Sequence, residues 1–372
     1  MNFDFSTEQK AFSDHLRRSL DGAGAIAETR RCLEGQMLHS SKIWSSLSSL
    51  GALGAALPES FGGSGSTHLE ACIVAQEIGH AMAPVPFVAS IALCAETIAR
   101  LGSEAQKQEW LPQLADGTVI GTAAWAELAG EFRADRIKSE LRAGKLSGRK
   151  VAVLDSRIAD IAIVLARDPA GECQLCLVDL KAEGVQRRPV DSVDPSKPLA
   201  DLTFSQVPAE LISVASGTGL GQFAAMLERA AILLAFEQLG AAERALTMAR
   251  DYALQRQAFG QPIGRYQGIK HKLADVFVKI ETARMHAYWA AWALTTEAAD
   301  LPLAAASARV TATDAFCFAA QECLQVHGGI GYTWESDCQL FYKRSRLYAL
   351  AFGSQLHWKE KITGCIERQN TN

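Results

Sequence analysis

The sequence predicts a mainly α protein in which one β segment separates two helical ones. Apolar residues recur at spacings of three and four from Phe5 to about Gly117, and again beyond Gln222. Between these stretches, Val, Ile and Leu alternate with polar residues in short runs divided by turn-rich links. A chain of 372 residues, 48% hydrophobic and 21% charged, has material for two or three cores. We place the divisions at 1–117, 118–214 and 215–372.

In the first segment, SKIWSSLSSLGALG and HLEACIVAQEIGHAMA carry the helical period, with Gly and Pro punctuation between. The middle segment holds the strand-like runs KLSGRKVAVLD, ADIAIVLARD, CQLCLVDLKA and ADLTFSQV, which make a small β domain. A Ser/Gly hinge at Ala215–Gln222 follows. The run AAILLAFEQLGAAERALTMARDYAL is apolar on almost every side in its first half, so it belongs inside a bundle or a subunit interface. It breaks at FGQPIG. From Tyr266 a second helix sets Ile269, Leu273, Val276 and Ile280 on one face. A third runs through Ala305 to Val326 and stops at Gly328-Gly329, and a fourth spans about Asp337 to Ile366. Long helices with short connections fold most economically as an antiparallel four-helix bundle.

Composition removes several classes. With 37 basic against 41 acidic side chains, the net charge of -4 lacks the basic footprint of a nucleic-acid binder. The longest uncharged apolar stretch, about Ala81 to Ala95, is too short to cross a bilayer and is interrupted by Pro84 and Pro86, so no membrane span is expected. Asp4 and Glu8 stand where an export signal needs a basic start and an apolar core. The odd number of cysteines, nine without a framework, suits a reducing cytoplasm.

Single motifs do not reach a reaction. Cys173 and Cys176 form a lone C-x-x-C within a strand-like run, best read as packing. Gly62, Gly63 and Gly65 match no phosphate-loop pattern and read as a tight turn, and no G-x-S-x-G elbow is present. The eight histidines show no ligand spacing; His271 and His286 read as helix-face residues, and no metal site is expected.

The order of local phrases says more. LPESFGGSG, GSEAQKQEWLPQLADG at Gly102–Gly117, the β segment, YALQRQAFGQPIGRYQGIKHKLAD at Tyr252–Asp275 and QVHGGIGY at Gln325–Tyr332 resemble the acyl-CoA dehydrogenase family over nearly the whole chain. The resemblance implies a helical N-terminal domain, a middle β-barrel, a C-terminal four-helix bundle and a dimer of dimers binding FAD. It implies α,β-dehydrogenation of an acyl-CoA thioester, in which a carboxylate takes the α proton and the β hydride passes to flavin, with electron-transfer flavoprotein as the onward acceptor.

In that family one subunit cradles the flavin ring while its neighbour grips the ADP half. The resemblance carries the second set onto Arg256 and Phe259 of R-x-x-F-G, Gln267, and Gln325, Gly328 and Gly329 of Q-x-x-G-G. Arginine offers a fork of donors to pyrophosphate, the glutamines bond polar edges, and the glycines let backbone approach phosphate. The ring-facing set differs. Where the family has T-E-P-x-A-G-S-D, the chain has AELAGEFRAD at Ala126–Asp135, retaining Glu127 and the small residues but placing Ala126 at the flavin-bonding threonine. Where it has W-I-T-N, the chain has Ala152, Val153, Leu154 and Asp155, without the aromatic wall or the hydroxyl.

Neither family position for the base holds an acid: Phe352 occupies one, just before Gly353-Ser354, and Ala230 the other, with Ala231 where an arginine is usual. Glu228 and Arg229 each lie two residues before these, about 200° around the helix from Ala230 and Ala231 respectively. Glu237 is the one acid in the apolar part of this helix and the remaining candidate base, with a structural role as its competitor. The expectation is a non-catalytic subunit of an α2β2 heterotetramer, of the kind acting on steroid side-chain CoA esters, that completes a partner's site. The alternatives are a homotetramer using Glu237 and a flavin-free binding or scaffold relative.

Overall fold

The computed structural model describes residues 6–130, 132–212 and 219–370. The boundary at 214/215 and the first half of the hinge at Ala215–Gln222 lie outside them. By contact the chain gathers into two compact units, Arg30–Ala71 with Pro84–Ala230, and Met1–Thr29 with Cys72–Ala83 and Ala231–Asn372.

Helices lead, as their caps and periods dictate: α1 (Thr7–Gly22), α2 (Ala25–Leu33), α3 (Ser41–Ser49), α4 (His68–Ala81), α5 (Glu96–Leu101) and α6 (Glu104–Ala115). Ser6 and Ser103 close capping boxes with Gln9 and Gln106, satisfying the first free N–H groups of α1 and α6. Ahead of α5, Val88–Ala95 is a fully buried π-helical stretch.

The sheet of the first unit contains β1 (Gly121–Ala124), β2 (Glu140–Arg142), β3 (Lys145–Val153), β4 (Ile161–Arg167), β5 (Cys173–Asp179), β6 (Val185–Val190), β7 (Leu199–Pro208) and β8 (Glu210–Leu211). Its order is β6-β7-β3-β2-β4-β5-β8, with β1 added parallel to β4. The expected barrel is therefore corrected to an open sheet. Among the described residues the end strands β6 and β8 pair with one neighbour each rather than with one another, and β8 is only two residues long. The central β4 is buried along Ile161–Ala166, so its sequence is a continuous apolar run rather than an alternation. Cys173 and Cys176 are both buried on β5; burial pushes the Cys176 thiol up to about 12, as a packing residue requires.

Beyond the sheet run α7 (Gly219–Gln255), the hairpin β9 (Gln257–Ala258) and β10 (Gln261–Pro262), α8 (Gln267–Thr295), α9 (Leu301–His327), α10 (Cys338–Tyr348) and α11 (Gln355–Asn370). The fourth predicted helix is thus two, α10 and α11. Phe352 at φ 62° and Gly353 at φ 106° are left-handed, which no continuous right-handed helix accommodates. A window of α7 is long and apolar enough to cross a membrane, yet 72% of it is buried inside the protein, as its all-round apolar sequence predicts for a core helix. In the second unit α4 and α7 approach to backbone contact. A Cβ on Gly79 would lie 1.8 Å from the Glu237 carbonyl oxygen, and one on Gly240 1.9 Å from that of Gln76. Alanines at 283, 287, 290, 304, 308, 312, 315 and 319, all buried, keep α8 and α9 similarly thin.

Candidate functional site

The residues expected to hold a nucleotide lie at the ends of α7, α8 and α9 in the second unit. Tyr252 stacks on His327 with ring centroids 4.2 Å apart, which holds the C-terminal turns of α7 and α9 together. Arg256 follows the first of these and Gly328 the second. Phe259 (φ 52°) and Gly260 (φ 79°) form the tip of the β9–β10 hairpin, and the Ile263 N–H returns to the Arg256 carbonyl at 2.8 Å. Tyr266 Oη bonds the Ala258 carbonyl at 2.9 Å, and Gln267 then opens α8.

Gly328, at φ 62°, caps α9 by donating its N–H to the Gln325 carbonyl. A Cβ on Gly328 or Gly329 would meet nothing within 4 Å, so the backbone there faces open space. Arg256, Phe259, Gln267, Gln325 and Gly329 are all exposed, Phe259 at 98%. Among the described residues, the side chains of Arg256, Gln267 and Gln325 have no partner within the chain. Exposed donors, open glycine backbone and a bare phenyl on a left-handed turn fit the ADP half of a dinucleotide presented from outside this chain.

The ring-facing residues lie in the first unit, where the Val151 N–H donates to the Ala126 carbonyl at 2.9 Å and sets the two relevant segments side by side. Their side chains offer a flavin ring little. Ala126 has no hydroxyl. Glu127 is engaged by the N–H groups of Lys138 and Ser139 and by Lys150 Nζ at 2.7 Å. Burial works against that carboxylate, and Lys150 outweighs it, holding Glu127 below the usual range. Lys150 itself is fully buried, so the pair is a structural ion pair. Ala152 and Asp155 take left-handed φ of 48° and 54°, and Ala152 N–H is bonded by Asp201 Oδ1. Trp125, next to Ala126, packs against Phe223 at 5.7 Å, and Phe132 against the same ring at 4.9 Å. These residues do not fit a flavin ring.

No acid stands at either base position. Phe352 is 2% exposed, and its carbonyl takes the Trp358 indole N–H at 3.1 Å. Ala230 is buried in α7, while Arg229 turns elsewhere, to Glu96 at 2.7 Å, which in turn contacts His68 at 3.2 Å. Burial pushes Glu96 up, but His68 and Arg229 outweigh it and hold the carboxyl at about 2. This triad joins residues far apart in sequence, and no local pattern announced it. Glu237 is wholly buried, bonded by Tyr348 Oη at 2.5 Å and paired with Arg344 Nη1 at 3.5 Å. Beside it the buried Arg309 bonds Gln238 and the carbonyls of Tyr348 and Ala351, fixing the turn that carries Phe352. Glu237 therefore sits in a structural network. Sequence reasoning also missed a group on α9 and α10, Cys323, His327 and Cys338, although its Cys-x-x-x-His spacing was visible.

Comparison with known proteins adds the following. Residues 6–118 match the acyl-CoA dehydrogenase N-terminal domain and residues 217–358 the C-terminal domain of the same name. The acyl-CoA dehydrogenase IpdE2 of Mycolicibacterium smegmatis is 31% identical over 94% of this chain and 95% of its own. IpdE2 of Mycobacterium tuberculosis is 32% identical over 86% and 85%. Among solved structures, a variant of the Tcur3481-Tcur3483 steroid ACAD superposes with TM-score 0.88 at 26% identity, covering 98% of this chain and 99% of that one. Butyryl-CoA dehydrogenase from Megasphaera elsdenii superposes at 0.89 with 25% identity, covering 98% and 100%.

Proposed function

The chain belongs to the acyl-CoA dehydrogenase family, whose members are FAD-dependent oxidoreductases, and we propose that within it this chain is the non-catalytic partner of an α2β2 heterotetramer. Its three segments, 1–117, 118–214 and 215–372, are the domains of that subunit. One observation carries the reading: the side chains of Arg256, Gln267 and Gln325 are exposed and without a partner among the described residues, whereas the residues at the family's flavin-ring and base positions are replaced or tied into structural networks.

FAD bound in such an assembly supplies the hydride acceptor for α,β-dehydrogenation of a CoA thioester. This chain's part is to hold the ADP half. Arg256 would offer its donor fork to the pyrophosphate, Gln267 and Gln325 would bond polar edges, and Gly328-Gly329 would admit phosphate to the backbone. Phe259 covers apolar surface on the partner. The relatedness at 26% identity to a steroid acyl-CoA dehydrogenase named for two gene products supports both a heteromeric assembly and a bulky CoA ester as substrate.

Co-expression with the product of the adjacent gene tests this. One FAD per heterodimer, and colourless protein when the chain is made alone, are expected. Two FAD per heterodimer, or a yellow and active homo-oligomer, overturn it.

A further inference from the structure

The cofactor reading leaves unused a dithiol placed against the nucleotide-holding turn. Cys323, in the last turns of α9, and Cys338, at the start of α10, bring their sulfurs to 3.5 Å, and both residues are fully buried. The segment between them contains Gln325, Gly328 and Gly329. His327, one helical turn after Cys323, puts Nδ1 3.9 Å from the Cys323 sulfur and 2.8 Å from the Cys323 carbonyl. Ser336 Oγ accepts the Cys338 N–H at 3.3 Å. Cys94 and Cys176 lie in packed cores, where burial raises both thiols to about 12.

We propose that Cys338 and Cys323 form a peroxide-oxidised, reversibly reduced dithiol, with Cys338 as the attacking thiolate, Cys323 as the resolving thiol and His327 as a positioning residue. The polar surroundings assign the roles. The two sulfurs share a hydrogen bond in which either can donate, and His327 and Ser336 lie on the Cys338 side; together they favour a Cys338 thiol below the ordinary range and a Cys323 thiol above it. Burial works against a charged imidazole, but the Cys338 thiolate outweighs it and holds His327 above its usual value. A lowered thiol beside an imidazole and a second thiol is an arrangement in which a sulfenic acid, once formed, is resolved to a disulfide.

The chemistry closes with hydrogen peroxide as the oxidant. The Cys338 thiolate attacks one peroxide oxygen; the O–O bond breaks, an S–O bond forms, and hydroxide leaves. The sulfur is thereby oxidised by two electrons to the sulfenic acid. The Cys323 sulfur then attacks the Cys338 sulfur, forming S–S as S–O breaks, and its proton leaves with the hydroxide as water. In sum, two thiols and one peroxide give one disulfide and two waters. The sulfurs must close from 3.5 Å to about 2.05 Å, a movement small enough for adjoining helix ends. Because both residues are buried, a small oxidant is favoured over a bulky disulfide. A bound cation is the competing occupant of these three donors. Zinc retention by the purified chain distinguishes that occupant from the dithiol.

The link to cofactor retention rests on the nucleotide-holding reading; the dithiol does not. The test treats the full chain in its assembly with stepwise hydrogen peroxide, alkylates it under denaturing conditions and maps the peptides. Cys323 and Cys338 are expected to vanish together into one linked peptide pair, restored by dithiothreitol, while the half-buried Cys317 stays alkylatable at the same dose. C323S should stop at a Cys338 sulfenic acid trapped by dimedone, C338S should leave Cys323 reduced, and H327Q should slow the first step several-fold at neutral pH with an unchanged circular dichroism spectrum. Persistence of both thiols while Cys317 oxidises first overturns the proposal, as does stoichiometric zinc that co-purifies and shields the pair. FAD release measured in parallel is expected to rise on oxidation. A disulfide that forms with FAD retention unchanged supports the dithiol and counts against the nucleotide-holding role of the turn.

Discussion

Replacing Glu237 by glutamine separates a base from a structural anchor. The substitution keeps the shape of the side chain and an acceptor for Tyr348 Oη at 2.5 Å, but removes the charge facing Arg344 Nη1 at 3.5 Å. At an effective dielectric of about 20, unit charges at that separation attract by about 5 kcal/mol. Removing one member of a buried pair typically costs about 3–5 kcal/mol, because the other charge stays buried. Arg344 is 1% exposed, so it has no route to water without opening the helices. For a unit of this size each kcal/mol moves the melting temperature by roughly 2–4 °C, so E237Q should melt on the order of 10 °C lower. The assay is a thermal melt by circular dichroism, paired with dehydrogenation by the assembled enzyme below both melting points. An unchanged melt with dehydrogenation abolished would refute the structural assignment and restore Glu237 as base.

Three other outcomes follow from the same geometry. Arg256→Ala should lower FAD content of the assembled protein while leaving the isolated chain's melt within about 0.5 kcal/mol, since the side chain is exposed and unengaged; unchanged flavin content removes its assigned role. Phe259→Gly should act with opposite signs: about 0.5–1 kcal/mol of stabilisation in the isolated chain, where φ is 52°, and assembly weakened by at least tenfold, read by sedimentation. Glu96 has a folded pKa of about 2, below its unfolded value, so its contribution is present above about pH 4.5 and lost as pH falls toward 2. That loss amounts to about 3 kcal/mol, and an acid titration of E96Q should lack it.

What was legible in the sequence is what repeats locally. The period of α7 through α9, the stop at Gly328 and the strand texture of β3, β4, β5 and β7 were read from neighbouring residues, because each element buries one face or all of itself. Sheet closure was not legible, because it depends on whether β6 and β8 meet, a pairing between distant strands that no local pattern records. The break between α10 and α11 did carry a signal. Gly353-Ser354 was read as the mark of a missing base and not as a helix terminator, yet the left-handed Phe352 and Gly353 make it both.

The same distinction explains why the candidate site was half visible. Motif residues such as Arg256 and Gln325 are named by short spacings, and their exposure follows from having no partner in this chain. The networks around Glu127, Glu96 and Glu237 draw on residues 23, 133 and 111 positions away, so no local spacing names the partner of any of these acids. Once paired, these acids leave no carboxylate that serves a base at either family position. The proposed role follows from that contrast: on this reading Arg256, Gln267 and Gln325 serve a nucleotide tail, Glu127, Glu96 and Glu237 serve as internal counter-ions, and a second polypeptide supplies the base. The 98% exposed Phe259, held in a conformation costly for any side chain, is the surface feature that a partner would have to cover.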